Sequence, residues 1–270
     1  MVPLGPEDAA TINRFFAAIR SLNELDNGEI RNVVGGVLNP TLRESYFTLN
    51  YQRAIINIEL LLTLTDTKQF QAITMLTRSI FETAVELKLL ATVPDAADKV
   101  RLFADLEKLK SAHKILAFKN SHADTAINTT AYEQFIAKNE RRLAQEKQQM
   151  WPSGKRLPHW SGMNMEERTR HFGGEFDKVY QLHYSLLSWY VHSGITGLTS
   201  LKGETFAHLC GVAYTITTEC YALILESIID ELKIYKADEK LKDKVAFAKM
   251  LPFADAPEQV DELRRELLGE

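Results

Sequence analysis

Apolar side chains recur every three to four residues along nearly all of this 270-residue chain. Because a helix has about 3.6 residues per turn, this spacing places the apolar side chains of each segment on one helix face. Alternating runs of β-branched residues bounded by turn dipeptides, which are typical of strands, are nearly absent from the sequence. The pattern therefore predicts an all-α fold.

Proline and glycine divide the periodic segments into separate helices. The first segment ends near Asn27-Gly28, and the third stops before Pro94, because the residue before a proline disfavours helical geometry. We predict helices over about Glu7–Leu25, from after Pro40 to about Thr65, Thr67–Thr92, Ala96–Asn120, Thr130–Met150, Met165–His171, Glu175–Ser193, Glu204–Tyr235, Lys240–Met250 and Pro257–Leu268. About eight helices form a single helical bundle domain in residues 1–236, and residues 237–270 form a charged, peripheral helical tail.

The chain carries a small acidic excess. Its net charge is −4, from 32 basic and 36 acidic residues. Proteins whose binding is dominated by nucleic-acid phosphates usually carry a basic excess, so the net charge does not indicate nucleic acid as a partner. The possibility that a local basic patch binds RNA stays open.

The cysteines and the most apolar segment bear on the cellular compartment. Cys210 and Cys220 lie ten residues apart on one predicted helix, a rise of about 15 Å that is too long for a disulfide. The apolar segment Phe206–Ile229 contains a histidine and two glutamates, which disfavour a membrane span. The N-terminus lacks the basic and apolar regions of a secretory signal. We therefore expect a cytoplasmic protein with free, buried thiols and no membrane partner.

Standard catalytic and cofactor motifs are missing from the sequence. It contains no GxxxxGK[ST], no GxGxxG after a strand, no GxSxG and no HExxH. The Glu-x-x-His pair of di-iron bundles is absent, and the two cysteines lack zinc-site spacing. We expect no metal and no cofactor, and whether the protein is an enzyme is left open.

The third predicted helix carries a narrow polar stripe on an otherwise apolar surface. Gln71, Arg78 and Glu82 are separated by seven and four residues, so they share one helix face. Buried charges are costly unless they are paired and hydrogen-bonded. The stripe is either a structural Arg78–Glu82 ion pair within the helix or one wall of a polar site.

The seventh predicted helix carries a second stripe. Gln181, Ser185, Ser188 and His192 recur at steps of four, three and four residues along one face. A histidine near a helix C-terminus is often a capping or core residue, since the helix dipole favours its protonated form. A hydroxyl one turn before an imidazole also orients the imidazole or activates a nucleophile. Both interpretations stay open.

The loop Pro158-His159-Trp160-Ser161-Gly162 places a tryptophan between a proline and a glycine. Such a tryptophan acts either as a packing plug or as a lid over a neighbouring site. His159, and His183 in the seventh helix, receive no role.

Three short patterns follow one another in this chain. Arg78, Ser79 and Glu82 form an Arg-Ser-x-x-Glu pattern, Trp160, Ser161 and Gly162 follow, and Tyr184, Ser188 and His192 form a Tyr-x-x-x-Ser-x-x-x-His pattern. In this order they resemble the bacterial family catalogued as domain of unknown function 5677 (DUF5677), over roughly Leu49 to Ile229. The resemblance implies a helical fold and marks Arg78, Glu82, Trp160, Ser188 and His192. It implies no activity, because none is assigned to the family.

A ligand-binding or regulatory module is the first functional hypothesis. Arg78 and Glu82 would face Ser188 and His192 between the two helices. Tyr184 and Ser185 would add to the ligand-binding set, and the Trp160 loop would cover it. In this arrangement Arg78 binds the carboxylate or phosphate of a small anionic ligand.

Two alternatives come from other functional classes. The first is a metal-independent ribonuclease of the HEPN type found in toxins and phage-defence systems, with Arg78 and His192 as its catalytic pair. That type places its Arg and His about four to six residues apart on one helix, and no pair with this spacing exists in this sequence. The second is a homodimeric scaffold, whose interface is supplied by the long apolar helix from Glu204.

Overall fold

A computed structural model describes residues 6–122, 128–152, 157–189, 203–234, 238–254 and 256–269. No strand occurs in these ranges, and the prediction of an all-α fold is confirmed. The α-helices are α1 (Pro6–Leu25), α2 (Arg31–Gly35), α3 (Leu42–Leu62), α4 (Phe70–Thr92), α5 (Ala96–Ser121), α6 (Thr130–Met150), α7 (Met165–Phe172), α8 (Gly174–Val179), α9 (Ser185–Trp189), α10 (Gly203–Glu231), α11 (Leu241–Met250) and α12 (Pro257–Leu268). Short 3-10 helices span Thr67–Gln69 and Leu251–Phe253.

Two of the helical segments contain a π-helical turn. Asp26–Ile30 joins α1 to α2, and Tyr180–Tyr184 joins α8 to α9. The first α-helix ends at Leu25, as predicted, but the helical path does not break at Asn27-Gly28 and continues through the π-helical turn to Gly35. The buried Asp26 carboxylate accepts hydrogen bonds from Tyr51 and Arg31, and these tertiary contacts hold the turn where the local sequence favours a break.

The chain divides into two compact units, residues 1–92 with 169–270 and residues 93–168. In the first unit α10 packs against α4, α1 and α3, and α4 also packs against α3. Ile73, Ile80 and Phe81 of α4 are buried in this core. The hydroxyls of Thr77 on α4 and Thr217 on α10 lie 3.0 Å apart, which satisfies two polar groups inside an apolar interface.

Helix α10 is the most apolar element described. By length and composition its segment Phe206–Glu231 is able to span a membrane, but 67% of its apolar window is buried inside the protein, as in a core helix. Cys210 and Cys220 on this helix are free and buried, as predicted. That the same helix supplies a dimer interface stays a prediction.

The second unit contains the helical pair α5 and α6. Leu102, Leu143 and Trp151 form its buried core, and Phe103 and Leu157 pack against them. The loop that carries Trp160 belongs to this unit as well.

The C-terminal segment is partly buried. Leu241, Val245 and Ala248 of α11 are buried, and α11 packs against α1 and α10. Lys244 forms ion pairs with Glu29 at 2.9 Å and with Asp238 at 2.7 Å. The domain boundary placed at residue 236 stays a prediction.

Candidate functional site

The polar stripe of the third predicted helix lies on α4. Nε of Arg78 donates a hydrogen bond of 2.8 Å to Oε1 of Glu82, one turn further along the helix. The two side chains are 24% and 31% exposed, so the pair is neither sealed in the core nor free in solvent. The intrahelical ion pair expected from the spacing of four is therefore present.

A third residue completes this polar group. The Tyr184 hydroxyl donates a hydrogen bond of 2.7 Å to the same Oε1 atom of Glu82. The guanidinium carbon of Arg78 lies 4.9 Å from the centre of the Tyr184 ring, in cation–π contact. We call Arg78, Glu82 and Tyr184 the Arg78 cluster, and it joins α4 to the π-helical turn Tyr180–Tyr184.

Two members of the Arg78 cluster, Arg78 and Tyr184, keep their protons at neutral pH because their pKa values are raised. Burial acts to lower the pKa of Arg78, but the hydrogen bond that Arg78 donates to Glu82 and the nearby Tyr184 outweigh it, so the pKa of Arg78 is raised. Burial and the Glu82 carboxylate raise the pKa of Tyr184 to about 12. Nη1 of Arg78 is buried and has no hydrogen-bond partner in the described part of the chain. The cluster therefore contains one buried hydrogen-bond donor that is unpaired in the described part of the chain.

The described residues of the second stripe make contacts other than those of the Arg78 cluster. Ser188 donates a hydrogen bond of 2.6 Å to the backbone oxygen of Tyr184 within its own helical segment, and Ser185 is exposed. His192 lies outside the described residues. A meeting of Arg78 and His192, and with it the ribonuclease hypothesis, stays a prediction.

Trp160 lies in the second unit, where it is buried. Its ring is 5.1 Å from the ring of His159, measured between centres. Nδ1 of His159 is hydrogen-bonded to Oγ of Ser161 at 2.9 Å, which orders the loop locally. The role of Trp160 as a lid stays a prediction.

A cavity of about 500 Å³ lies in the first unit beside the Arg78 cluster. We call it the α10 cavity, because one face of α10 forms its longest wall. Phe81 of α4 and the segment α8 with its π-helical turn form the facing walls. The lining residues include Phe81, Glu175, Phe176, Lys178, Val179, His183, His208, Gly211, Val212, Thr215, Ile216, Glu219, Cys220, Leu223, Glu226 and Lys249. A volume of this size, mostly apolar with a few polar groups, is typical of small-molecule sites.

Phe81 connects the cavity to the Arg78 cluster. Its ring lines the cavity and lies 6.0 Å from the ring of Tyr184 and 6.1 Å from the ring of Phe176. Tyr184 and the cavity residue His183 also belong to the same π-helical turn. π-Helical turns occur frequently at functional sites. The Arg78 cluster therefore adjoins one wall of the cavity.

Two histidines line the cavity. Burial, together with the neighbouring His208 and Lys178, lowers the pKa of His183, so its imidazole is neutral near pH 7. A neutral imidazole both donates and accepts a hydrogen bond. His183 can therefore orient a polar group of a bound molecule without adding charge.

Sequence reasoning missed the polar residues of the cavity. His208, Glu219 and Glu226 are separated by eleven and seven residues, which returns them to one face of α10. That spacing was visible in the sequence, but a polar face on a core helix does not reveal what lies opposite it. The facing wall comes from residues 81 and 175–183, which are distant in sequence.

Comparison with known protein families yields a match. A family model described as a family of unknown function, DUF5677, matches residues 44–207, which is more than half of the chain. The matched range contains Arg78, Glu82, Trp160 and Tyr184 and ends one residue before His208. Neither a curated protein nor a solved structure matches the chain.

Proposed function

The chain belongs to the family of unknown function DUF5677, and we propose that it is a ligand-binding or regulatory module whose ligand occupies the α10 cavity. The observation that carries this proposal is the cavity itself, with its volume of about 500 Å³. Its apolar side chains provide contact area for a ligand, and its polar groups can fix the orientation of that ligand. Small-molecule sites usually combine these two features.

A glycine in the middle of α10 supports the proposal. Gly211 lines the cavity, and a Cβ atom added to it would meet nothing within 4 Å in the described part of the chain. Glycine inside a helix costs about 1 kcal/mol of stability relative to alanine. No packing contact in the described part of the chain requires a glycine at position 211, and a glycine there leaves room for a ligand in the cavity.

The Arg78 cluster has a supporting role in this proposal. It holds Tyr184, and with it the π-helical turn, against α4 at one wall of the cavity. The buried Nη1 donor of Arg78 is available to an acceptor that reaches it, such as a water or an anionic group. We also keep the proposal that Arg78 binds the carboxylate or phosphate of a small anionic ligand at the Arg78 cluster.

The experiment is a small-molecule screen in which substitutions of Gly211 identify the compounds that bind in the cavity. Thermal shift measurements identify compounds that stabilise the wild-type protein, and calorimetry gives their dissociation constants. Gly211→Phe fills the cavity from within α10, and we expect it to abolish binding of every true cavity ligand. Gly211→Ala adds only a methyl group and should raise stability by about 0.5–1 kcal/mol, which checks the open space directly.

Gly28 provides the matched control. It also lies in a helical segment with nothing within 4 Å of an added Cβ, and it does not line the cavity. Gly28→Phe should therefore leave ligand binding unchanged. A screen with no compound whose binding depends on Gly211, run on folded protein, contradicts the proposed function.

We propose a cytoplasmic location in addition. Two free, buried thiols and a long apolar helix that is mostly buried inside the protein support it.

A further inference from the structure

The α10 cavity is lined by five charged side chains, three carboxylates and two ammonium groups. Four of them form ion pairs. Lys249 and Glu219 are paired at 2.7 Å, and Lys178 and Glu175 at 3.6 Å. Glu226 is the remaining charge.

The charges around Glu226 are already engaged elsewhere. Lys249 is bound to Glu219, and Lys242 is bound to Asp230 at 2.5 Å. Within the described residues no hydrogen bond or ion pair involves the Glu226 carboxylate. The Glu226 side chain is also partly buried, and this burial removes part of its hydration.

An unpaired carboxylate in a half-buried cavity is costly, because burial removes hydration without supplying a partner. Burial raises the pKa of Glu226, and the neighbouring carboxylates of Asp230 and Glu219 add to this effect, while Lys249 and Lys242 oppose it. A carboxylate whose pKa is shifted by burial and by specific charges in a cleft is a candidate functional group. A positively charged ligand group would remove the cost.

Resting on the proposed function, we propose that the ligand of the α10 cavity is an organic cation, a protonated amine attached to an apolar body, and that the Glu226 carboxylate binds its ammonium group. The third carboxylate of the cavity then gains the partner that the described residues do not provide. Charge-assisted hydrogen bonds of this type are roughly twice as strong as neutral ones.

The apolar body of the ligand is matched by the rest of the cavity. Leu223 lies one turn before Glu226 on α10, and Ile216 and Val212 continue the same face. Phe81 and Phe176 supply aromatic surface from the opposite walls. A cation near Glu226 thus leaves a continuous apolar wall for the remainder of the molecule.

The test compares amines with neutral and acidic analogues of the same shape. The probes are phenethylamine, tryptamine and octylamine, each measured beside the alcohol of the same skeleton and a carboxylic acid of similar length. Calorimetry at pH 7 gives the dissociation constants. We expect at least one amine to bind about tenfold or more tightly than its alcohol, because only the amine forms the charged pair.

Two variants assign the effect to Glu226. Glu226→Gln keeps the shape of the side chain and removes its charge, and we expect it to abolish the preference for the amine over the alcohol. Glu175→Gln makes the same change on a paired carboxylate of the same cavity, and we expect the preference to survive. Gly211→Phe should remove binding of amine and alcohol together.

The outcomes separate this inference from the proposed function. The proposal of a cationic ligand is overturned if alcohols or acids bind as tightly as the amines. It is also overturned if the preference for the amine survives in Glu226→Gln. In both cases the cavity remains a ligand site. The same holds if no amine binds but other compounds do so in a Gly211-dependent way. Only the absence of any Gly211-dependent ligand overturns both.

Discussion

The Tyr184 hydroxyl donates a 2.7 Å hydrogen bond to Oε1 of Glu82, although the two residues are 102 positions apart in the sequence. Nε of Arg78 donates to the same oxygen at 2.8 Å. One carboxylate oxygen therefore joins α4 to the π-helical turn that borders the α10 cavity. The energetic coupling of Glu82 and Tyr184 is a direct measure of how firmly this wall is held.

A double-mutant cycle measures this coupling. Tyr184→Phe removes one hydrogen bond and should lower the free energy of unfolding by about 1 kcal/mol. Glu82→Gln weakens the contacts with both Tyr184 and Arg78 and should cost about 1–2 kcal/mol. Because both changes break the same bond, the double variant should lose less than the sum, with a coupling of about 0.5–1.5 kcal/mol. Urea unfolding at pH 7 gives all four values.

Tyr180 serves as the control for this cycle. It stacks on Tyr184 with 4.8 Å between ring centres, but no hydrogen bond of its hydroxyl is found in the described part of the chain. Tyr180→Phe should change stability by less than about 0.5 kcal/mol. Strict additivity of Tyr184→Phe and Glu82→Gln would show that the hydrogen bond contributes nothing in solution.

The Arg78–Glu82 pair could be predicted from the sequence, whereas Tyr184 as its partner could not. A spacing of four residues places two side chains on one face of any α-helix, so the ion pair depends on local geometry alone. The π-helical turn at Tyr180–Tyr184 inserts one residue, which rotates the helix that follows by about 100°. The predicted stripe through Ser185 and Ser188 assumed a regular α-helix without this rotation. The rotation is set by tertiary packing, so the local sequence does not reveal it.

The same limit applies to the N-terminal helix. Asn27-Gly28 is a common helix end, yet the helical path continues because Asp26 is buried and bound by side chains from other turns. The helices themselves follow from the periodicity of apolar residues, so the all-α fold class could be predicted from the sequence. The α10 cavity needs walls from three distant segments, and periodicity carries no information about their arrangement.

Asp26 and Glu59 allow a comparison of a buried and an exposed partner of Arg31. Asp26 is fully buried and accepts from Nη2 of Arg31 at 3.0 Å, while Glu59 is 49% exposed and accepts from Nη1 at 2.6 Å. Asp26→Asn presents an amide donor to the Arg31 donor or loses the Tyr51 contact, so it should cost about 2–4 kcal/mol. Glu59→Gln should cost less than about 1 kcal/mol, because exposed pairs contribute little.

Urea unfolding at pH 7 measures both Arg31 variants. The expected result is a midpoint that falls clearly for Asp26→Asn and barely moves for Glu59→Gln. Equal losses for the two variants would mean that burial does not decide the strength of these contacts.

Alkaline titration tests the burial of four tyrosines. Burial raises the pKa of Tyr184 to about 12, and it also raises the pKa values of Tyr51, Tyr214 and Tyr221. Absorbance at 295 nm should therefore show at least four of the nine tyrosines still protonated at pH 11 in the folded protein, and all nine ionising near pH 10 in urea. Ionisation of all nine near pH 10 with unchanged circular dichroism would contradict this burial.

The sign of the linked stability change follows from these pKa values. The folded state holds the Tyr184 proton more tightly than the unfolded state, whose tyrosine pKa is near 10. Between pH 10 and 12 the unfolded state binds fewer protons, so the free energy of unfolding falls as the pH rises. Tyr184→Phe should make this fall smaller than in the wild type, measured by urea unfolding at pH 9 and pH 11.

The two thiols report on the core and on the cavity separately. Cys210 is fully buried, and burial raises the pKa of its thiol to about 12; burial raises the pKa of Cys220 as well. Since the thiolate is the reactive form, both should react with dithionitrobenzoate at pH 8 at least about tenfold more slowly in the folded protein than in urea. Two thiols per chain should react in urea.

Single variants Cys210→Ala and Cys220→Ala assign the two rates. Cys220 lines the α10 cavity and Cys210 does not, because Sγ of Cys210 lies 3.9 Å from the backbone oxygen of Thr67 instead. A compound that occupies the cavity should therefore slow the reaction of Cys220 further and leave the rate of Cys210 unchanged. Equal slowing of both thiols would indicate stabilisation of the whole fold, and no slowing of Cys220 would place the compound outside the cavity.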